Sequence, residues 1–235
     1  MNVDRVPLET LTDDGVMLHG WLHPGEGMAL LLLHDLDVDS TYWNDVVRHL
    51  ERRTPGRPIV ALDARCHGRS DVGTEFTRKR LVKDVKVFLK AHDLGDAVIC
   101  GHGWGADIAL ATDFGAGVIA VNPLLGRVHA GVAASLPDLD PLPTFAGARE
   151  TRFVEAFTIG IERAKPLRRN RRDAPTMLLY SAPVDVHDPD ALDRLIDVCV
   201  DAQEWQDGTP HLPLEAPAGV AALIDGWCHD LEAMQ

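Results

Sequence analysis

The chain has 235 residues, enough for one sizeable α/β or all-β domain and its own core. Its composition, 46% hydrophobic and 25% charged, is ordinary for a water-soluble protein. The formal charge of −13 argues against general nucleic-acid binding, because phosphate repulsion would oppose it.

Other features narrow the class further. The longest purely apolar run, "MALLLL" at Met28–Leu33, is far short of the roughly 20 residues that span a bilayer. The N-terminal "MNVDRVPLET" carries acids and no apolar segment of signal-peptide type, so no membrane association and a cytoplasmic location are expected. Cys66, Cys100, Cys199 and Cys228 are scattered without metal-ligand spacing and read as reduced thiols.

In chain order, the first expected elements are two strands, "RVPLETL" and "VMLHGWLH", joined by a turn at "TDDG". "MALLLLHD" has the length and apolarity of a buried strand. Trp43, Val46, Val47 and Leu50 recur at helical spacing. A strand "RPIVALDA" follows, ending at Asp63. Next comes an amphipathic helix carrying Leu81, Val82, Val85, Phe88 and Leu89, with Gly95 as its stop. "DAVICGHG", "WGADIALATDFG" and "AGVIAVNP" continue as strand, helix and strand. Such alternation predicts a parallel sheet covered on both faces.

From about Leu124 to Ala174 the alternation lapses, and prolines at 137, 141, 143 and 166 mark an insertion or lid. Within it, Arg163–Arg172 holds six basic residues and no acid. That segment is either a solvated loop or a dock for an anionic group or an acidic carrier protein. "PTMLLYSA" then resumes as a strand, "DPDALDRLIDVCV" as a helix, "QEWQDG" as a short strand and "PAGVAALIDGWCHDLEA" as the closing helix. Residues 1–235 are thus expected to form one domain with a lid at about 124–174.

Four segments at expected strand ends carry a resemblance. "LLLLHD" is similar to a strand ending in His-Gly, with Asp35 at the glycine. "DARCHGRSD" keeps Asp63, Gly68 and Ser70 of a D-x-x-G-x-G-x-S pattern but has Cys66 at its first glycine. "CGHGWGAD" is similar to the G-x-S-x-G nucleophile elbow, with Gly103 where serine stands. "DGTPHLPLEAP" is similar to a catalytic-histidine segment and contains His211. Together they resemble the α/β-hydrolase family, which implies a mostly parallel central sheet flanked by helices, with a small lid.

The resemblance implies a site as well. His211 would be the catalytic histidine and Asp185 its acid, with Asp188 as the fallback. Position 103 would be the nucleophile site without a nucleophile. The order 103, 185, 211 is that of the family. Backbone N–H groups of Trp104 and Leu36 would form the oxyanion hole. Asp35 would oppose negative charge there if it points inward. Gly103 would leave a hydroxymethyl-sized space in which a water could sit beside the base. His102, read as packed at the elbow, and Phe145, Phe153 and Phe157 of the lid are candidate pocket walls.

No cofactor is implied, since the chain has no dinucleotide-type glycine loop. No metal site is expected either. The acidic run Asp35, Asp37, Asp39 lacks the glycine and glutamate of a calcium loop, with Val46 at the twelfth position.

Three functions remain open. The first is an enzyme acting on a small carbonyl-containing molecule (ester, thioester, lactone or polyketide-like ketone) through a His–Asp base without a nucleophile. The second is a serine hydrolase whose residue 103 was changed to glycine in the laboratory. The third is a non-catalytic ligand- or protein-binding relative.

Overall fold

The computed structural model describes residues 5–36, 38–125, 174–181, 189–206 and 211–234. The lid segment from residue 126 to 173, with Phe145, Phe153, Phe157 and the Arg163–Arg172 patch, lies outside the described residues. So do Asp37, Asp185 and Asp188.

The strands are β1 (Val6–Leu11), β2 (Met17–His23), β3 (Leu30–Leu33), β4 (Ile59–Asp63), β5 (Val98–His102), β6 (Gly117–Val121), β7 (Thr176–Ser181) and β8 (Asp201–Trp205). The described helices are α1 (Asn44–Arg53), α2 (Arg78–Ala91), α3 (Trp104–Leu110), α4 (Pro189–Ile196), α5 (Leu212–Glu215) and α6 (Pro217–Ala233). A 3-10 turn, Ser40–Trp43, leads into α1 and is capped by the Asp39 carboxylate, which accepts from the Thr41 N–H. All eight strands join one sheet in the order β1-β2-β4-β3-β5-β6-β7-β8. β2 runs antiparallel to β1 and to β4, and the remaining pairs are parallel.

The wholly apolar strands follow from this placement. In β3, Leu31 and Leu33 pack with Phe88 and Val85 of α2 and Ile108 of α3. Leu30 and Leu32 point the other way, among Val46, Val47 and Leu50 of α1 and Ile224 and Trp227 of α6. Side chains alternate between faces every residue, so a strand covered on both sides must be apolar throughout. Helix starts follow local chemistry: the Thr77 side chain caps α2 by accepting from the Arg80 N–H, and Pro217 opens α6. Among the described residues no helix is long and apolar enough to cross a membrane.

This topology sets up the site. β3 and β5 are parallel neighbours with Leu33 opposite Gly101. Continued two residues past the sheet edge, that register brings Asp35 beside Gly103. The C-terminal ends of parallel strands are where loops of such sheets gather functional groups.

Candidate active site

The elbow is built from close backbone approaches. A Cβ at Gly101 would overlap the Gly105 carbonyl, and one at Gly105 would overlap the Leu33 and His34 carbonyls. α3 can therefore leave β5 sharply only because both positions are glycine. Gly103 sits at φ 55°, ψ −118°, a backbone conformation that costs any other residue strain. Its N–H donates to the Val121 carbonyl (3.0 Å), and its own carbonyl accepts the first N–H bonds of α3.

Asp35 points inward. Its Oδ1 accepts from the N–H of Leu36 (2.8 Å) and from the N–H of Trp104 (2.8 Å). These are the two donors that the family resemblance assigned to an oxyanion hole. They converge as expected but are not open to a ligand in this arrangement: a carboxylate of the chain itself occupies them. A Cβ built on Gly103 would collide with the same carboxylate. The space at position 103, expected to hold a water, is therefore taken by Asp35. The physical reason is mutual: glycine leaves the room, and two amide N–H dipoles attract a negative charge into it.

The loop that carries these groups is pinned by two imidazoles. Buried His34 meets the Asp35 carbonyl with Nδ1 (2.6 Å) and accepts the Ala64 N–H at Nε2 (3.0 Å). A ring whose Nε2 accepts is neutral, and burial together with the neighbouring His67 pushes its pKa down to about 3. His67, also buried, faces two carbonyls, Arg65 O at 2.9 Å and Leu36 O at 2.7 Å. The segment around Asp63 completes the support. Its carboxylate accepts from the N–H of Ser40 and Arg69, and its carbonyl takes the Ser70 hydroxyl. Cys66 holds the positive φ of 67° that the missing first glycine would supply more easily.

Electrostatics at Asp35 pull in two directions. Desolvation raises its pKa above the ordinary carboxylate range, opposed by the N–H bonds from Trp104 and Leu36 and then by the nearby charges of His211 and His67. The side chain keeps 18% of its surface exposed. His102, at 2% exposure, stacks on Tyr42 with ring centroids 5.1 Å apart. Its Nδ1 lies 3.7 Å from Asp35 Oδ2. His211 stands at the start of α5, exposed, with its ring centroid 6.4 Å from that of His102. The structure thus gathers Asp35, Leu36, His102, Gly103, Trp104 and His211. Cys100 is buried in the core.

His34 and His67 escaped the sequence reading. His34 is the histidine of the His-Gly strand end and His67 adjoins Gly68, but neither motif assigns its histidine a clamping role.

Residues 16–112 match the family model described as the α/β hydrolase fold. Together with the sheet topology above, this gives the chain the α/β-hydrolase fold. Among curated relatives, it is 30% identical over 88 residues to an sn-1-specific diacylglycerol lipase ABHD11 of Danio rerio, covering 37% of this chain and 27% of that protein. It is 32% identical over 119 residues to epoxide hydrolase B of Mycobacterium tuberculosis, covering 47% of this chain and 33% of that one. The matched stretches thus span about a third or less of these relatives' lengths. Among solved structures, a thermophilic esterase from Thermogutta terrifontis with malate bound superposes at a TM-score of 0.73. It shares 18% identity, over 97% of this chain and 99% of that one.

Proposed function

We propose that the chain is a cofactor-free enzyme that acts on a small carbonyl-containing molecule by proton transfer, with no acyl-enzyme stage. The substrate class is an ester, thioester, lactone or polyketide-like ketone. His211, oriented by Asp185, is its acid–base residue and moves a proton at the substrate. The observation that carries this reading is the Asp35 carboxylate lying over Gly103 on the Leu36 and Trp104 N–H groups. Acyl transfer needs a nucleophile at the elbow and free donors for the developing oxyanion. This chain offers neither, while its histidine segment is kept. The two curated relatives named above are a lipase and an epoxide hydrolase, and the reading departs from hydrolysis at these two points.

A non-catalytic binder is favoured by the same occupied donors, and a serine hydrolase changed to glycine at 103 would also lack only a hydroxyl. The chain, Gly103→Ser, and Asp35→Gly with Gly103→Ser are each treated with a fluorophosphonate and weighed intact. Each is then assayed on short acyl esters and thioesters. The expected result is no label on the first two, because a serine Cβ must evict a carboxylate held by two charge-assisted bonds of about 1.5–3 kcal/mol each. Only the double variant should label. A labelled, hydrolytically active Gly103→Ser protein would instead mean that the site is a serine hydrolase short of one hydroxyl. If His211→Ala leaves every activity of the chain unchanged, the enzyme reading gives way to the binder.

A further inference from the structure

Asp35 is the group in this site for which the hydrolase plan has no use. It lies where a nucleophile's side chain would project from position 103. Its two oxygens are unequal. Oδ1 takes both backbone N–H bonds, which fix the carboxylate plane, whereas Oδ2 takes neither. Oδ2 stands 3.7 Å from His102 Nδ1, beyond hydrogen-bond reach, and the side chain retains some exposure. The backbone that positions it is clamped at the Asp35 carbonyl by His34 and at the Leu36 carbonyl by His67.

Resting on the proton-transfer reading, we propose that Asp35 is a catalytic carboxylate: its Oδ2 removes and returns the proton at a carbon adjacent to the substrate's carbonyl. In the forward step the C–H bond breaks and an O–H bond forms at Oδ2. The electron pair moves onto the carbonyl oxygen as an enolate, and this oxygen takes a proton from the His211 imidazolium. In the return step neutral His211 recovers that proton, and Asp35 delivers its own to the same carbon or to a conjugated one. Delivery to a conjugated carbon gives a shifted double bond, and delivery to the same carbon gives an epimer when the enol turns its opposite face to Asp35 before the proton returns; no electron acceptor is needed.

Two features of the site suit this task. Burial makes the carboxylate a stronger base than one in water, and the N–H bonds from Trp104 and Leu36, followed by the nearby charges of His211 and His67, act against that rise. The N–H donors, being spent on Asp35, cannot stabilise the enolate, so a protonated His211 has to. The ligand class is therefore a carbon acid: a ketone or thioester with a hydrogen-bearing, preferably substituted, α carbon.

The test is solvent-deuterium incorporation. The chain is incubated in D2O with 2-methylacyl N-acetylcysteamine thioesters and 2-substituted cyclohexanones, and α-carbon exchange is followed by proton NMR. Wild type should exchange without hydrolysing. Asp35→Asn, which keeps an acceptor for the two N–H groups and hence the fold, should lose roughly 10²- to 10⁴-fold in exchange rate. Asp35→Glu should recover part of it. Circular dichroism and intact mass accompany each variant. If Asp35→Asn exchanges at the wild-type rate while His211→Ala does not, the proposal for Asp35 is wrong and the reading of His211 stands. A covalent adduct on Asp35, or new ester hydrolysis in Asp35→Asn, would make it a nucleophile or a plug and overturn the proposal. Absence of exchange by wild type on every probe removes the proton-transfer reading and this inference together.

Discussion

At the residue scale the site turns on small side chains in the right places. Gly103 and Asp35 are complementary, since the missing Cβ of one is the seat of the other's carboxylate. His34 makes a titration prediction. In the fold its pKa falls from 6.5 to about 3, first through burial and then through the charge of His67. Between these values the unfolded chain binds a proton at His34 that the native chain refuses, so its contribution to stability is lost as pH falls through that window. The loss at full effect is on the order of 5 kcal/mol. His34→Gln has no such proton to take up. Its urea-unfolding free energy should approach that of wild type as pH is lowered from 7 to 4, because wild type declines more steeply. Parallel curves for the two proteins would show that His34 titrates normally in the fold.

At the element scale, α2 and the β1–β2 turn are tied by a buried ion network. The guanidinium of Arg65, with none of its surface exposed, bonds Asp84 of α2 through Nε (2.5 Å) and Nη2 (2.9 Å). It also reaches Asp14 of the turn at 2.8 and 3.0 Å. Arg80 shares Asp84 at 2.8 Å. These bonds hold Asp14 well below the usual carboxylate range and Arg65 above its own. Asp84→Ala would leave Arg65 with Asp14 and Arg80 with Asp13 and Asp14, removing the most buried carboxylate of the network, and should cost up to about 3–5 kcal/mol of unfolding free energy. Asp113→Ala, which removes the exposed partner of Lys86, should change it by less than ~0.5 kcal/mol. Equal effects in chemical denaturation would mean that burial is not what gives the Asp84 network its weight.

Across the whole molecule, the net charge of −13 is a standing repulsion that folding concentrates. Raising sodium chloride from about 10 to 150 mM shortens the screening length from roughly 30 to 8 Å. The inner ion pairs are shielded from this and the surface repulsion is not. The melting temperature should therefore rise, by about 2–4 °C if screening is worth ~1 kcal/mol. A fall would show that attractive surface pairs outweigh the net charge.

The sequence by itself determined the elements and the family plan. Apolar runs such as Leu30–Leu33 and Val98–Cys100 can be satisfied only between two helical layers, and glycines at 101, 103 and 105 fit only a turn of close approach. It also flagged Asp35 as a charge near the expected oxyanion donors. Direction was beyond it, because an aspartate in a loop faces solvent or protein according to what the neighbouring strand presents. The β3–β5 register and the imidazole clamps of His34 and His67 decided that Asp35 turns inward onto the Leu36 and Trp104 N–H groups. The Trp104 N–H and the Asp35 carboxylate lie 69 positions apart in the chain, and periodicity along a sequence carries no information about such a contact. Only the tertiary structure could turn an apparent vacancy at Gly103 into an occupied site.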